Sequence, residues 1–331
     1  MMNKISFGQY ASLLLASDAF ALICYSDKIS LTTLICFITA VAIQFVISLF
    51  FVKRDIPINN KFMLFIYLVS AVLWGALLFM RVWNISKAIY IPLPEIPFIS
   101  SNLIISALIA VVCLYASSPG IKAVSRASVI IAGFGILCII VIIFGSFKSL
   151  EKENLFIKNN NDIFSQITSG LAISGSFCIL PYLMSQLKSN RIKTTIFYFI
   201  FKTAFYTIAI LLTLMVTGGI MEITEFPVIR AAELCQPFNS QRIDALFIIV
   251  LVLLAVMGIS VQTVISSQII ETIFPKFKHY KSTIIITLML ILAIILGNTN
   301  VYSIIYAIIF LIPSVFTVII SLSRLSEKGK K

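Results

Sequence analysis

Charged residues are scarce in this chain of 331 residues, at 11% of the sequence against about 25% in ordinary soluble domains. Hydrophobic residues make up 60%, and the mean hydropathy is +1.07. This composition excludes a soluble globular protein, and no stretch is polar enough to form a soluble domain. The scarcity of charge therefore predicts an integral membrane protein.

Histidine is almost missing, since His279 in a basic loop is the one example, and the six cysteines include no C-x-x-C pair. An intramembrane enzyme needs clustered catalytic side chains, and a zinc site needs paired ligands. An enzyme, a metal and a cofactor are therefore not predicted. Nucleic-acid binding is not predicted either, because the net charge of +12 has no folded basic domain to occupy.

Apolar runs of about 20 residues recur along the chain, with short polar breaks between them. This length suits helices that cross a bilayer rather than the strands of a barrel. The sequence thus predicts an all-α, polytopic membrane protein of about ten transmembrane helices. The first run is too long for a signal-peptide core and is expected to be retained. The predicted spans are Ile5–Tyr25, Ile29–Val52, Phe62–Val82, Asn102–Ser117, Ile121–Phe147, Ile163–Leu187, Thr194–Gly218, Asp244–Phe274, Thr283–Leu296 and Val301–Leu322.

Lysine and arginine are distributed unevenly between the two sides of this topology. With the N-terminus inside, the inner segments hold about twice as many of them as the outer segments. Since cytoplasmic loops retain positive charge, both termini are predicted to be cytoplasmic. The positive net charge then fits the topology and the anionic headgroups of the lipid bilayer.

The polar loop FKSLEKENLFIKNNND leaves about five spans on each side of it. Because five is odd, a second copy of a five-helix unit enters the membrane from the opposite face, as in the inverted repeats of many secondary transporters. We predict a single transmembrane domain, 1–331, with a first repeat over 1–147, an extracytoplasmic loop over 148–162, and a second repeat and cytoplasmic tail over 163–331. An unrelated ten-helix bundle stays an alternative, because the halves share no visible similarity.

The sixth span is rich in small and helix-breaking residues in SGLAISGSFCILPYL, residues 169–183. Gly170 and Gly175 permit close approach and non-helical backbone, and Pro181 lacks a backbone N–H. Ligands of inverted-repeat transporters bind near the midplane, where helices are interrupted. We therefore predict that the span is unwound from Ser174 to Phe177 and forms the ligand site. The alternative is that the small residues merely let helices pack closely.

Two charged residues, Asp18 and Lys202, lie inside predicted spans. Asp18 lies roughly 20 Å into the membrane if each residue rises 1.5 Å. A buried acid is costly in a membrane, so Asp18 is predicted to meet an amine or a coupling proton, unless it is protonated or exposed to water. Lys202 either snorkels to the membrane surface or pairs with Asp18 across the bundle.

Other polar residues of the third and eighth spans either complete the pocket or hold neighbouring helices together. The residues predicted to bind the ligand are Ser17, Asp18, Trp74, Ser174, Gly175, Ser176, Phe177, Ser260, Gln262 and Thr263.

The segment EFPVIRAAELCQPFNSQRIDALFIIV, residues 225–250, is polar in an otherwise apolar chain. Pro227 and Pro237 limit any helix in it to about ten residues, which is too short to cross the bilayer. We predict a short helix on the outer surface that serves as a lid or as a docking surface for a partner. The residues assigned to this role are Ile229, Arg230, Glu233, Leu234 and Phe238.

Several passages resemble those of one family, the spore germination permeases, which are the B subunits of the germinant receptors of endospore-forming bacteria. The passages are KISFGQ (4–9), LPEIPF (93–98), YASSPGIKAVSRAS (115–128), FPVIRAAEL (226–234) and RIDALFIIV (242–250). The resemblance implies the fold of the amino acid-polyamine-organocation (APC) transporter superfamily, with the two inverted five-helix repeats of LeuT-like transporters. The implied ligand site lies between the first, third, sixth and eighth helices.

The resemblance also implies a function, which is to bind a small germinant such as an amino acid and to signal spore germination. It implies A-type and C-type receptor subunits as partners in the spore inner membrane. Two features of this chain differ from the family's pattern and bear on the class of ligand. The first span lacks the Gly-containing break that is usual in the superfamily, and Ser176 stands where relatives often carry an acid. A proton- or sodium-coupled amino acid transporter is the alternative function, since it would use the same pocket.

Overall fold

A computed structural model describes residues 5–53, 60–89, 101–147, 150–156, 162–218, 225–235, 244–275, 280–297 and 303–328. Within these ranges the chain folds into twelve α-helices and two short 3₁₀ helices, Lys152–Phe156 and Gly175–Ile179. The α-helices are α1 (Phe7–Ile23), α2 (Leu31–Val52), α3 (Lys61–Ile89), α4 (Ser101–Ser117), α5 (Ile121–Ser146), α6 (Ile163–Ile173), α7 (Leu180–Met184), α8 (Arg191–Thr217), α9 (Pro227–Glu233), α10 (Asp244–Ile273), α11 (Lys281–Gly297) and α12 (Ser303–Lys328).

Among the described residues, six helices are long and apolar enough to cross a membrane. Helix α6 and the segment Gly175–Met184 together form a seventh, bent span. Three shorter apolar helices, α1, α4 and α11, have 17 residues each and rise about 26 Å, close to the hydrocarbon thickness of roughly 30 Å. In chain order these helices coincide with the predicted spans. The prediction of an all-α, multi-pass membrane protein is confirmed.

The packing of the helices repeats between the two halves when α6 and α7 are taken as one sixth span. The contact between the first and fifth spans recurs, five spans later, between the sixth and tenth spans. In the same way, the contact between the fourth and eighth spans corresponds to the contact between the ninth and third spans. Two further contacts join equivalent spans of the two halves. They are α2 with α8, the second and seventh spans, and α3 with α10, the third and eighth spans. Two five-helix units related in this way explain the pattern. The residue boundaries given above for the repeats stay a prediction.

The start of the first span and the end of the sixth are joined by backbone hydrogen bonds. The N–H of Ile5 donates to the carbonyl of Gln186 at 2.9 Å, and the N–H of Lys188 donates to the carbonyl of Ile5 at 3.1 Å. Backbone groups inside a membrane protein need such partners, because water is scarce there. The pairing fixes α1 next to the bent span, which places their side chains in contact further along.

The third helix is longer than predicted, since α3 continues to Ile89 whereas the apolar run was taken to end at Val82. The charge at Arg81 does not end the helix, because its guanidinium donates to the carbonyl of Ala21 near the end of α1. The same guanidinium lies over the ring of Trp74, with Cζ 5.8 Å from the ring centroid. An arginine with these contacts can remain within an apolar helix.

Candidate functional site

The sixth span is interrupted in its middle. Helix α6 ends at Ile173, and a 3₁₀ helix follows over Gly175–Ile179. The angle between α6 and the segment Gly175–Met184 is 53°. A Cβ at Gly175 would lie 2.3 Å from Cε3 of Trp74, so only glycine allows the indole ring to lie against this turn. Pro181 lies in the first turn of α7, where its missing N–H costs no hydrogen bond. The predicted interruption of the sixth span is therefore confirmed.

Asp18 reaches the interruption from the middle of α1, which is itself a continuous helix. Its Oδ1 accepts from the backbone N–H of Ser176 at 3.2 Å, and its Oδ2 accepts from Oγ of the same serine at 2.7 Å. The hydroxyl of Tyr198 also donates to Oδ2, at 3.2 Å. The carboxylate is fully buried. It thus supplies acceptors to the turn from a neighbouring span.

Lys202 from α8 provides the charge that balances Asp18. Its Nζ lies 2.7 Å from Oδ2 of Asp18, and neither side chain is exposed. The ammonium also donates to Oε1 of Gln44 at 3.2 Å and to the hydroxyl of Tyr198 at 3.3 Å. Of the two arrangements predicted for Lys202, the structure has the pair with Asp18, and the side chain does not snorkel. Removing one partner of such a buried pair lowers the stability of a protein by about 3 to 5 kcal/mol.

Gln44 connects this ion pair to the interruption from α2. Its Nε2 donates to the carbonyl of Ser174 at 3.2 Å, while Oε1 accepts from Lys202. The hydroxyl of Ser174 lies 3.1 Å from that of Tyr206 on α8. Side chains of α1 and α2 therefore bond to the non-helical backbone, and tyrosines of α8 lie within hydrogen-bond distance of its serine hydroxyls. We call this group the Asp18–Lys202 network; its members are Asp18, Gln44, Ser174, Ser176, Tyr198, Lys202 and Tyr206.

Sequence reasoning missed three members of the network, namely Gln44, Tyr198 and Tyr206. A signal was present for the tyrosines, because 198, 202 and 206 are each four residues apart and lie on one face of α8. The lysine and both tyrosines therefore had to face the same neighbour. Gln44 is a polar residue in the apolar span α2. Its polarity alone could not identify its partner.

The remaining predicted ligand residues have varied surroundings. Ser17 donates to the carbonyl of Leu14 at 3.1 Å, and Thr263 donates to that of Ile259 at 3.0 Å, both within their own helices. Ser260 donates to the carbonyl of Cys113 on α4 at 3.4 Å, which points it towards α4. All three side chains are buried. Their hydroxyls bond to backbone carbonyls, and their role as ligand contacts stays a prediction.

Trp74, Gln262 and Phe177 are also buried, and two of them carry polar groups that have no partner among the described residues. These are Nε1 of Trp74 and both amide atoms of Gln262. Trp74 packs against Gly175 and, edge to face, against Phe310 with the ring centroids 5.1 Å apart. The carbonyl of Phe177 accepts from Oγ of Ser314 at 3.4 Å. Buried polar atoms usually have hydrogen-bond partners, and the role of Trp74, Gln262 and Phe177 as ligand contacts stays a prediction.

The segment predicted as a lid forms the short helix α9, which packs against α8, α1 and α10. Ile229, Ala231 and Ala232 are buried, and Leu234 is partly buried. On the other side, Arg230 and Glu233 form an ion pair of 2.7 Å with exposed fractions of 42% and 30%. The predicted short helix with one apolar side is confirmed. Phe238 lies outside the described residues, and the role as lid or docking surface stays a prediction.

A cavity of about 160 Å³ lies between α1, α5, α8, α9 and α10. Its walls are almost entirely apolar. Representative lining residues are Ala16, Ile139, Phe205, Ala231 and Phe247. The residues of the Asp18–Lys202 network do not line it. This cavity is therefore distinct from the polar site at the interruption.

Comparison with solved structures identifies the fold. The chain is similar to MHP1, a nucleobase-cation-symport-1 family transporter solved in a closed conformation with bromovinylhydantoin bound, with a TM-score of 0.57 and 12% identity over 96% of this chain and 78% of that one. A Na⁺-coupled sialic acid symporter in a substrate-bound, outward-open state gives a TM-score of 0.46 and 13% identity over 93% and 75% of the two chains. The fold, as the similarity to MHP1 shows, is that of LeuT-like membrane transporters.

The family follows from the sequence. The model of the family described as "Spore germination protein" matches residues 91–302, which is more than half of the chain. This chain belongs to that family, as its motifs had indicated. No curated protein matches it in sequence. The protein is therefore a multi-pass membrane permease of the spore germination family.

Proposed function

We propose that this permease is the membrane subunit of a germinant receptor, which binds a small germinant such as an amino acid and signals spore germination. The observation that carries the proposal is the interrupted sixth span, whose backbone is held by Asp18 and Gln44 in a chain of this family. Interrupted helices of inverted-repeat transporters bind ligands through their freed backbone groups. A ligand that shifts this turn would also move α1, α2 and α8, because they contact it through the network.

An amino acid suits the unpartnered groups of Trp74, which lies against the interruption, and of Gln262 in α10. The carboxylate of such a ligand accepts hydrogen bonds from an indole N–H and from a carboxamide N–H, and its ammonium donates to a carboxamide oxygen. Trp74 and Gln262 carry these groups in buried positions. Trp74 also lies against Gly175, so a ligand bound to it is next to the turn. These contacts support an amino acid over a purely apolar ligand.

Binding to the purified chain tests this proposal. We expect at least one of the twenty standard amino acids to raise the melting temperature, and Gly175→Leu to abolish that shift because its side chain would displace Trp74. The matched control is Gly133→Leu on α5, where a Cβ meets nothing within 4 Å. The control should keep the wild-type shift. The proposal is wrong if no amino acid stabilises the wild type, or if Gly175→Leu folds and responds normally.

A proton- or sodium-coupled amino acid transporter is the second candidate, and the fold favours it because MHP1 is a transporter. Sensing and transport would use one site, so binding cannot separate them. Uptake into proteoliposomes can, if the amino acid that stabilises the protein is supplied with a proton gradient or with a sodium gradient. Accumulation inside the vesicles would indicate transport, whereas binding without uptake would indicate a receptor.

We further propose that A-type and C-type receptor subunits assemble with this chain in the spore inner membrane, with both of its termini cytoplasmic. The charged side of α9, with Arg230 and Glu233, is the surface that we assign to them. Its other side is buried against the bundle, so a partner on α9 would be mechanically connected to α1 and α8. Copurification of the three subunits from spore membranes, with and without charge reversal at both positions, tests this assignment.

A further inference from the structure

The ammonium of Lys202 is enclosed like a bound cation. Three oxygens surround Nζ, namely Oδ2 of Asp18 at 2.7 Å, Oε1 of Gln44 at 3.2 Å and the hydroxyl of Tyr198 at 3.3 Å. An ammonium has three N–H donors, so each one has an acceptor. The four side chains are at most 1% exposed. One carboxylate and two neutral oxygens thus form a receptor for a single positive charge.

The size of this receptor fits an ammonium rather than a divalent metal. Mg²⁺ and Ca²⁺ bind oxygens at about 2.0 to 2.6 Å, which is shorter than the three distances around Nζ. Two aromatic rings also favour an organic ammonium ion at this position, since Nζ lies 5.5 Å from the ring centroid of Tyr198 and 5.8 Å from that of Tyr206. Aromatic rings at such distances attract organic ammonium ions.

The cation at this position is connected to the backbone of the interruption through two of its acceptors. Asp18 accepts from the N–H of Ser176, and Gln44 donates to the carbonyl of Ser174. A positive charge between Asp18 and Gln44 therefore fixes both side chains, and through them the turn. Without it, the buried carboxylate would lose its direct ion-pair partner.

We infer that Lys202 is a tethered cation, which occupies a receptor for a monovalent ammonium formed by Asp18, Gln44 and Tyr198. The lysine fills this receptor in the native chain, so a free cation is not required there. Shortening the side chain should open a site for an alkylammonium ion. Lys202→Ala removes three carbons and the nitrogen, which are the heavy atoms of n-propylammonium. The inference does not depend on the germinant, because it concerns the stability of the unliganded protein.

The test measures the melting temperature of the purified chain with n-propylammonium, potassium or choline chloride at one ionic strength. For Lys202→Ala we expect n-propylammonium to raise it by about 2 °C at tenfold excess over Kd, relative to choline. Potassium should have a smaller effect, and wild type should respond equally to all three salts. Lys193→Ala is the matched control, since Lys193 lies on the same helix but is exposed; it should behave as wild type.

A double variant keeps the test decisive if Lys202→Ala is hard to isolate. In Asp18→Asn/Lys202→Ala the charge of the receptor is removed, so the protein should fold without an added cation and should show no response to n-propylammonium. Lys202→Ala should then be recoverable when it is extracted in the presence of n-propylammonium. The inference is overturned if that extraction fails while the double variant folds. It is also overturned if n-propylammonium does not stabilise folded Lys202→Ala relative to choline, or if it stabilises wild type relative to choline.

Discussion

Gln262 is the position at which stability and ligand binding should separate most clearly. Its side chain is fully buried in α10, and neither amide atom has a partner among the described residues. A buried polar group without a partner costs about 1 to 3 kcal/mol. Gln262→Met removes the carboxamide and keeps an unbranched side chain of similar length. We expect the unliganded variant to be more stable than wild type by about 1 to 2 kcal/mol, and to lose its response to the ligand.

Gln44→Met is the matched control, because the same chemical change removes a carboxamide whose atoms are both bonded. Its Nε2 donates to the carbonyl of Ser174, and its Oε1 accepts from Lys202. The variant leaves a buried carbonyl and a buried ammonium with one partner fewer. We therefore expect it to be less stable than wild type by about 1 to 3 kcal/mol. Equal substitutions at two buried glutamines should thus change stability in opposite directions.

Thermal unfolding in detergent, with and without the stabilising amino acid, measures both effects. A change of 1 kcal/mol moves the melting temperature by roughly 2 to 4 °C in a chain of 150 to 250 residues, and by somewhat less in a longer one. The reasoning is refuted if Gln262→Met lowers the melting temperature and keeps the full ligand-dependent shift. That result would mean that the carboxamide has a structural partner and does not contact the ligand.

The remaining predictions concern the ion pair, the short helix and the third span. Asp18→Asn should cost about 3 to 5 kcal/mol, and adding Lys202→Met should recover much of it; additive losses in denaturant unfolding would contradict a buried pair. Ile229→Ser, which places a hydroxyl on the buried side of α9, should impair ligand response or copurification with partner subunits, whereas Glu233→Gln on its exposed side should leave the ligand response normal. Arg81→Met should lower the melting temperature, because the carbonyl of Ala21 loses its donor; an unchanged value would show that this contact is dispensable.

The architecture could be predicted from the sequence because the membrane leaves few choices. Apolar length identifies spans, since every backbone group inside a bilayer must bond within a helix. The interruption was predictable for a related reason, because Gly175 and Pro181 lie close together in one span where a helix is otherwise obligatory. The purpose of Gly175 was not predictable. Its missing Cβ admits the ring of Trp74, which lies about one hundred residues away in sequence.

The partners of buried charges were harder to predict than the charges themselves. Asp18 and Lys202 were conspicuous in apolar spans, yet snorkelling and pairing could not be distinguished, because the distance between two spans depends on packing. The sequence does predict which residues of α8 share a face, because Tyr198, Lys202 and Tyr206 are spaced four residues apart. Which helix that face meets is a tertiary property. Gln44 therefore emerges as a member of the network only from the fold.

The unbroken first span explains why Asp18 is needed. In LeuT-like folds an interruption can offer free backbone groups to its surroundings, but the middle of α1 has none to offer, since its N–H and carbonyl groups bond within the helix. The polar contact from α1 to the turn at Ser176 must come from a side chain. The hydroxyl of Ser17 is bonded to the carbonyl of Leu14, so Asp18 makes this contact. The buried carboxylate then requires a cation, and Lys202 supplies it. A missing break in one repeat thus accounts for a buried ion pair beside the break in the other.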